Sequence, residues 1–320
     1  MSDCITRFGG KAMLSVIVPA YNEQAVVKRF AQRAGAVLED NGIDYEIVFV
    51  DDGSSDGTWR EIESLSAENG RVRGVSFSRN FGKEAALMAG LANAGGSCCV
   101  TIDCDLQHPP ETIPEMYRLW EQGYEVIEGV KRSRGRESGA HRALAGIFYK
   151  LMGGGIGESM DGASDFKLLD RKVVDVLLSF GERNTFYRAL SKYVGYKTAS
   201  VYFDVAERAG GETKWSFSGL FKYAVSNLTA FSVAPMRLVT VLGCIMLAFS
   251  ALLGGVALYQ KFAGYALEGF TTVIIIQLFV GSIIVISLGI MGHYIARIYE
   301  EVKGRPRYII SKRCGKDTDD

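Results

Sequence analysis

Residues 98–105 read CCVTIDCD, a short apolar run that ends in two aspartates one residue apart. An apolar run of this length, closed by polar residues, predicts a strand buried in a parallel sheet. Two upstream stretches have the same character, MLSVIVP at 13–19 and YEIVFV at 45–50. We therefore expect three buried strands that each lead directly into polar sequence.

The rest of the N-terminal half alternates between helical and extended patterns. Helices are predicted at Glu23–Asp40, Thr58–Ala67, Lys83–Ala94 and from Pro109 to Gln122, and further strands at Val72–Phe77, Glu125–Val130, Phe166–Leu169 and Ser200–Val205. This alternation predicts an α/β fold with a mostly parallel, doubly wound sheet. Ligands bind beyond the carboxyl ends of strands in such sheets, where this sequence places Tyr21-Asn22-Glu23, Asp51-Asp52 and Asp103-Cys104-Asp105.

The pair Asp103-x-Asp105 is a candidate site for a hard cation. Two carboxylates on an extended turn can face one Mg²⁺ or Mn²⁺, which would neutralise a diphosphate, and Gln107 adds an amide oxygen. An isolated Asp-x-Asp is more often a solvated loop. In this sequence the pair lies between an apolar strand and the segment His108-Pro109-Pro110, which opens a helix, and this position favours a cation site.

Other polar stretches have two readings each. Asp51 and Asp52 can cap a turn or accept hydrogen bonds from a base or ribose. Lys83 at a helix start, and Arg208 and Lys214 in a later loop, can contact phosphate or remain surface charges. A basic cluster after the fifth strand can receive a lipid phosphate or attract a membrane non-specifically; its members are Lys131, Arg132, Arg134, Arg136 and Arg142.

The C-terminal third contains two long uncharged stretches that predict membrane-spanning helices. No Asp, Glu, Lys or Arg occurs between Arg237 and Lys261 or between Glu268 and Arg297, and about 20 apolar residues suffice for a helix to cross a bilayer. Basic residues follow the second gap, so the positive-inside rule predicts cytoplasmic termini and an external loop at 261–270. The predicted division is a tail at 1–12, a catalytic domain at 13–215, an interfacial helix at 216–235, membrane helices at 236–260 and 271–296, and a basic cytoplasmic tail at 297–320.

Composition narrows the function classes. Lys+Arg and Asp+Glu both total 36, so the net charge is zero and nucleic acid is not an expected partner. The six cysteines lack Cys-x-x-Cys spacing, which indicates reduced thiols rather than zinc ligands or disulfides. Glycines in both predicted spans permit close helix packing, and a homo-oligomer is one outcome of this.

In combination, these motifs resemble glycosyltransferase family two, and within it the polyprenyl-phosphate glycosyltransferases, such as dolichyl-phosphate mannose synthases and bactoprenol glucosyltransferases. The resemblance spans roughly 14–235 and rests on SVIVPAYNE (15–23), VDDGSSDGT (50–58), SRNFGKEAAL (78–87), DCDLQHPPE (103–111), GASDFKLLDR (162–171) and ERAGGETKW (207–215).

The resemblance implies a GT-A fold and an inverting reaction with catalytic Asp103, Asp105 and Asp165. It assigns Pro19, Tyr21, Glu23 and Asp52 to the nucleotide, with Asp51, Lys83, Arg208 and Lys214 as further donor-binding candidates. Asp103, Asp105 and Gln107 would hold the metal, and Arg132 and Arg142 the acceptor phosphate.

The function expected from this is transfer of a hexose from a nucleotide sugar, UDP-glucose in the first instance, to undecaprenyl phosphate at the cytoplasmic face of the inner membrane. The alternatives are a dolichyl-phosphate mannose synthase using GDP-mannose, a processive polysaccharide synthase, and a non-catalytic membrane protein. A processive synthase usually carries Gln-x-x-Arg-Trp, and Trp59, Trp120 and Trp215 do not lie in such a motif.

Overall fold

Parallel pairing of the first four strands forms the centre of the fold in the computed structural model, which describes residues 12–132, 164–182, 187–204, 234–264 and 270–315. Strand β1 (Met13–Ala20) lies between β2 (Asp44–Asp51) and β4 (Cys98–Thr101), and β2 pairs with β3 (Val72–Phe77). All three pairings are parallel, as the alternating sequence pattern predicts.

The crossover helices match the predicted segments closely. They are α1 (Gln24–Asp40), α2 (Thr58–Glu68) and α3 (Lys83–Ala92). Each has a face buried against the sheet; in α1, Val27, Phe30 and Leu38 are fully buried. Burying side chains of this size contributes about 1.5–3 kcal/mol each, which fixes the helices on the sheet.

The helix predicted from Pro109 begins later than expected. Pro110–Thr112 form a 3₁₀ turn, and the α-helix α4 covers Ile113–Glu121. Pro114 is the proline in the first turn of that helix, a position where its missing N–H costs nothing.

The second half of the sheet is mixed. Strand β6 (Lys167–Asp170) enters between β4 and β5 (Val126–Lys131) and is antiparallel to both. Strand β7 (Thr198–Phe203) pairs in parallel with β5 and forms one edge. Two helices, α5 (Arg171–Ser179) and α6 (Tyr187–Tyr193), connect β6 to β7.

The segment 297–320, expected to be a tail, supplies a strand of the eight-stranded sheet. Strand β8 (Ile310–Cys314) pairs antiparallel with β3 and forms the other edge of the eight-stranded sheet, in the order β7-β5-β6-β4-β1-β2-β3-β8. Its ISKRC sequence lacks a buried apolar face, so local pattern does not reveal it. Backbone pairing with β3 gives this polar stretch its strand conformation.

Residues 217–305 form a separate unit that contains two long helices. Helix α7 covers Ala234–Phe262 and helix α8 covers Phe270–Val302. In the part of the chain that the structure describes, one segment, Phe279–Val302, is long and apolar enough to cross a membrane. The second crossing predicted at 236–260 stays a prediction, and the interfacial helix predicted at 216–235 lies mostly outside the described residues.

A buried ion pair links β5 to β6. The Lys167 side chain is fully buried, and its ammonium lies 2.6 Å from Glu128 Oε1 and 2.6 Å from Ser191 Oγ. Lys192 Nζ lies 3.7 Å from the second Glu128 oxygen. Burial lowers the pKa of Lys167 despite the opposing attraction of Glu128.

Removing this ammonium should destabilise the protein. In Lys167→Ala the Glu128 carboxylate stays buried with Lys192 as its remaining cation, so we expect the free energy of unfolding to fall by about 3 kcal/mol. Urea denaturation of the full-length protein in detergent measures this loss. The control is Lys172→Ala, which breaks the more exposed pair with Glu125 and should cost less than about 1 kcal/mol. Equal losses in the two variants would contradict the prediction.

Candidate active site

The carboxyl ends of β1, β2 and β4 open at one edge of the sheet. Ala20 at the end of β1 is in register with Asp51 at the end of β2, and Thr101 at the end of β4 is in register with Ile17. The polar clusters that follow these strands therefore meet at this edge, as the sequence pattern predicts.

Hydrogen bonds join the loops after β1 and β2. The backbone N–H of Asn22 donates to Ser54 Oγ at 2.9 Å, and its side-chain oxygen accepts from the N–H of Ser55 at 2.9 Å. The N–H of Glu23 donates to Thr58 Oγ1 at 2.9 Å. Asn22 adopts a left-handed backbone with φ 55°, which asparagine tolerates better than most residues. The two loops thus form one bonded unit.

Two predicted nucleotide-binding residues of the first strand lie at this edge. Pro19 is partly buried within β1, and the ring of Tyr21, just past the strand, is 43 % exposed. A half-exposed aromatic ring beside the loop unit is available for a flat ligand. The assignment of Pro19, Tyr21 and Glu23 to a nucleotide stays a prediction.

Asp51 shapes the turn after β2. Its Oδ1 accepts from the N–H of Ser54 at 3.0 Å and its Oδ2 accepts from Ser76 Oγ at 2.7 Å. The residue is only 2 % exposed. Both oxygens therefore accept hydrogen bonds within the protein, and the assignment of Asp51 to the donor stays a prediction.

Asp52 is held by the loop before α3. Its carboxylate accepts from the N–H groups of Phe81 at 2.7 Å and Gly82 at 3.0 Å. Burial raises the pKa of Asp52 in spite of these two bonds, which favour the ionised form. Gly53 has φ 66°, and a Cβ there would lie 2.3 Å from the carbonyl carbon of Arg79, so the two loops meet backbone to backbone.

Lys83 connects the aspartate pair to Asp165. Its ammonium lies 2.5 Å from Asp103 Oδ1 and 2.9 Å from Asp165 Oδ2. Burial opposes the charge on Lys83, but the attraction of Asp103 and Asp165 outweighs it and raises the pKa of the lysine. Lys83 is therefore a cation at neutral pH. The structure thus places Lys83 against two predicted catalytic residues. The sequence analysis expected only that this lysine contacts phosphate.

Arg188 is a site residue that the sequence analysis missed. Its Nε and a terminal nitrogen lie 2.6 Å and 2.8 Å from the two oxygens of Asp165, a bidentate pair. Burial raises the pKa of Asp165, but Lys83 and Arg188 lower it by more, and the net pKa is well below the usual range. Arg188 lies on the short helix α6 without a recognisable motif, and only the tertiary fold brings it here.

Neighbouring groups hold α6 and β6 in place around Asp165. Thr101 Oγ1 lies 2.5 Å from the Asp165 carbonyl oxygen and 3.0 Å from the Tyr187 hydroxyl. Glu84, the residue after Lys83, accepts from the N–H of Tyr187 at 2.9 Å. These bonds tie the start of α6 to α3 and β4, which positions Arg188 against Asp165.

Asp103 is ionised and His108 lies beside it. Burial raises the pKa of Asp103, but Lys83 and His108 together lower it by more. His108 Nδ1 lies 3.7 Å from Asp103 Oδ2, and burial lowers the pKa of the histidine. The His108 ring stacks on Phe166 at 5.3 Å and meets the edge of Phe203 at 5.3 Å. These contacts anchor the loop after β4 in the core.

The predicted metal ligands follow one another on this loop. The N–H of Gln107 donates to Asp105 Oδ1 at 3.0 Å, across a buried Leu106 with φ 60°. Among the described residues, no group of three or more His, Cys, Asp and Glu is placed to hold a metal. Mg²⁺ typically binds one or two carboxylates together with substrate phosphates. Asp103, Asp105 and Gln107 offer oxygen donors of this kind, and their assignment to a metal stays a prediction.

The predicted acceptor and loop residues are described in part. Arg132, at the end of β5, is 64 % exposed at its side chain and lies 3.7 Å from Asp204 Oδ2, an exposed and weak pair. It is thus able to turn toward another anion. Arg142, Arg208 and Lys214 lie outside the described residues.

Comparison with known proteins identifies the family. The profile of glycosyl transferase family 2 matches residues 15–178. The chain is 38 % identical to an uncharacterized glycosyltransferase of Bacillus subtilis, YkcC, over 94 % of both proteins. It is 35 % identical to the SfII prophage-derived bactoprenol glucosyl transferase of Shigella flexneri, over 93 % of this chain and 97 % of that protein.

One solved structure similar to this chain is mannosyl-3-phosphoglycerate synthase from Rubrobacter xylanophilus, with a TM-score of 0.49 and 17 % identity over 71 % of this chain and 75 % of that one. The profile match and the two full-length relatives agree with the motifs gathered at the sheet edge. The chain belongs to glycosyltransferase family 2.

Proposed function

We propose that this protein transfers a hexose from a nucleotide sugar to a polyprenyl phosphate, with UDP-glucose as donor, undecaprenyl phosphate as acceptor and inversion at the anomeric carbon. The observation that carries the lipid acceptor is the 35 % identity to bactoprenol glucosyl transferase over 93 % of the chain. The chemistry is supported by the charged groups at the carboxyl edge of the sheet.

The acceptor needs little help from a base. A phosphate monoester has its second pKa near 6, so it is already an anion at neutral pH. Asp165, whose pKa is depressed by Lys83 and Arg188, is a poor proton acceptor at that pH. We infer that Asp165 acts by orienting these two cations. The incoming phosphate oxygen attacks the anomeric carbon as the bond to the nucleoside diphosphate breaks.

Stabilising the departing diphosphate is then the main task of the site. Lys83 is charged and 42 % exposed at its side chain, and it stands in the first turn of α3, where free N–H groups favour an anion. Asp103, Asp105 and Gln107 would hold Mg²⁺ or Mn²⁺. When bound, this ion supplies positive charge to the diphosphate.

Binding of the two substrates follows the same edge of the sheet. Pro19, Tyr21, Glu23 and Asp52 are proposed to surround the nucleotide. For the acceptor we propose Arg132 and, on the segment that the structure does not describe, Arg142. Arg208 and Lys214 are proposed to contact the diphosphate.

Strand β8 supports a membrane anchor that crosses twice. Residues before α7 and after α8 belong to one sheet, and a hydrogen-bonded sheet cannot have strands on both sides of a bilayer. This favours an even number of membrane crossings in the chain between them. With Phe279–Val302 able to cross, α7 is the second candidate, and we propose a multi-pass inner-membrane protein with the catalytic domain and both termini in the cytoplasm.

The proposed activity is tested with radiolabelled nucleotide sugars. Full-length protein in detergent with Mg²⁺, undecaprenyl phosphate and labelled UDP-glucose should give a label that partitions into organic solvent. Parallel incubations with GDP-mannose and dolichyl phosphate test the mannose synthase alternative. Label only in long polymer would indicate a processive synthase, and no transfer from any donor would refute the enzyme assignment.

The metal proposal has a separate test. EDTA should abolish transfer, and added Mg²⁺ or Mn²⁺ should restore it. Asp105→Asn, which weakens a hard-cation ligand, should lower turnover by about 100-fold or more. The matched control is Asp175→Asn on α5, an exposed aspartate that should leave turnover unchanged. Full activity of the Asp105 variant, or of the wild type in excess EDTA, would refute the assignment.

Membrane topology is tested with single added cysteines. Ala266→Cys, at a position between α7 and α8 in the sequence, should react with a membrane-impermeant maleimide in intact bacteria. Thr318→Cys, near the C-terminus, should react only after permeabilisation. The wild type, with its six native cysteines, gives the background. Labelling of both added cysteines from outside would contradict the even crossing with internal termini.

Glu84 is a group at the site that changes charge near neutral pH. Burial and the nearby charge of Asp165 raise its pKa from 4.5 to about 7. As pH rises through this range, the unfolded chain releases the Glu84 proton while the folded protein retains it. The group therefore lowers the free energy of unfolding progressively between these two values.

Glu84→Gln should remove this dependence while keeping an oxygen that accepts from the N–H of Tyr187. We expect the variant to gain about 1–3 kcal/mol relative to wild type on going from pH 4.5 to pH 8. Urea denaturation across this pH range measures the difference. The exposed Glu121, changed to Gln, serves as control. Parallel stability curves for wild type and Glu84→Gln would show that the folded-state pKa is not raised.

A further inference from the structure

The segment that follows α8 rejoins the sheet next to the loop 78–82, which holds Asp52. After α8, the backbone N–H of Ser78 donates to the Ile309 carbonyl at 3.0 Å, and Phe77 is in register with Ile310. Ser311 Oγ donates to the Ser76 carbonyl at 3.1 Å. These bonds fasten residues 309–311 to the end of β3, the point at which the loop 78–82 begins.

Three aromatic rings extend this contact into the loop. The half-buried Tyr308 ring stacks on Phe77, with centroids 5.0 Å apart and planes 14° apart. Phe77, only 3 % exposed, meets Phe81 edge-on at 5.7 Å and 90°. Arg79 covers the Phe81 ring, with the guanidinium carbon 4.6 Å from the centroid. Aromatic pairs of these geometries contribute beyond their buried area, so the stack fixes where Phe81 lies.

The backbone of Phe81 is also what holds Asp52. Its N–H donates to Asp52 Oδ1 at 2.7 Å, and the N–H of Gly82 donates to Oδ2 at 3.0 Å. A Cβ at Gly53 would lie 2.3 Å from the carbonyl carbon of Arg79, so the loop after β2 packs closely against the loop 78–82. A displacement of the Phe81 ring therefore moves the amides that orient the Asp52 carboxylate.

We propose that Tyr308 is a positioning residue for the donor nucleotide, acting through Phe77 and Phe81 on Asp52. This rests on the proposed function, in which Asp52 contacts the nucleotide. The segment after α8 thereby becomes part of the donor site without touching the ligand. Since Lys83 follows the same loop, the stack also sets the start of α3.

The test compares Tyr308→Ala with Tyr308→Phe, which keeps the stacking ring. The control is Tyr202→Ala, which removes a 59 % exposed tyrosine from the opposite edge strand β7. Hydrogen–deuterium exchange of the full-length protein in detergent reports on the amides of 78–82. Isothermal titration with UDP and Mg²⁺ reports on nucleotide binding, and steady-state kinetics separate the KM values of donor and acceptor.

In Tyr308→Ala we expect at least tenfold faster exchange of the Phe81 and Gly82 amides, a three- to tenfold higher Kd for UDP, and a donor KM raised by the same factor. The acceptor KM should stay within twofold of wild type. Tyr308→Phe and Tyr202→Ala should match wild type in every measurement. A loss confined to thermal stability, with these values unchanged, would overturn the proposal.

The measurements separate nucleotide binding by the protein from the positioning role of Tyr308. If wild-type protein binds neither UDP nor GDP, the nucleotide assignment fails, and exchange at 78–82 still decides whether Tyr308 holds the loop. Unchanged exchange in Tyr308→Ala overturns the positioning role. Faster exchange with unaltered UDP affinity, in a wild type that binds UDP, overturns the link from the loop to the donor.

Discussion

Because β1 pairs in parallel with both β2 and β4, three strands end on the same side of the sheet. Asp52, Asp103 and Asp105 follow two of these strands, and Lys83 contacts Asp103. The register leaves little freedom in this arrangement. Shifting β1 by one residue would turn its fully buried Val16 and Val18 to the opposite face of the sheet. The apolar core thus fixes the strand register on which the geometry of the site depends.

Within that site, charge compensation determines which chemistry is accessible. Asp103 and Asp165 share the Lys83 ammonium, and Arg188 pairs with Asp165 on its other side. The cations keep both carboxylates ionised despite burial, which makes Asp165 unsuited to proton transfer. An acceptor that arrives already ionised matches a site of this kind, since positioning and electrostatic stabilisation are what it can offer.

Much of the catalytic domain could be predicted from sequence because its strands and helices have strong local signatures. The runs at 13–19 and 98–102, with the aspartates after the second, indicated the parallel sheet and the edge where the site lies. The antiparallel insertion of β6 and the edge strand β8 depend on pairing between distant segments, and local periodicity does not contain that information. Arg188 was missed for a related reason, since its importance comes from a tertiary contact with Asp165.

The position of β8 at the C-terminal end of the chain has a consequence for biosynthesis. Edge strands with open hydrogen-bonding groups invite unwanted association, and β3 has its outer edge uncovered until Ile310–Cys314 has been made. A ribosome completes α7 and α8 before it releases that strand. The catalytic domain therefore completes its sheet only after α7 and α8 have been synthesised, and a chain truncated after α8 leaves the outer edge of β3 unpaired.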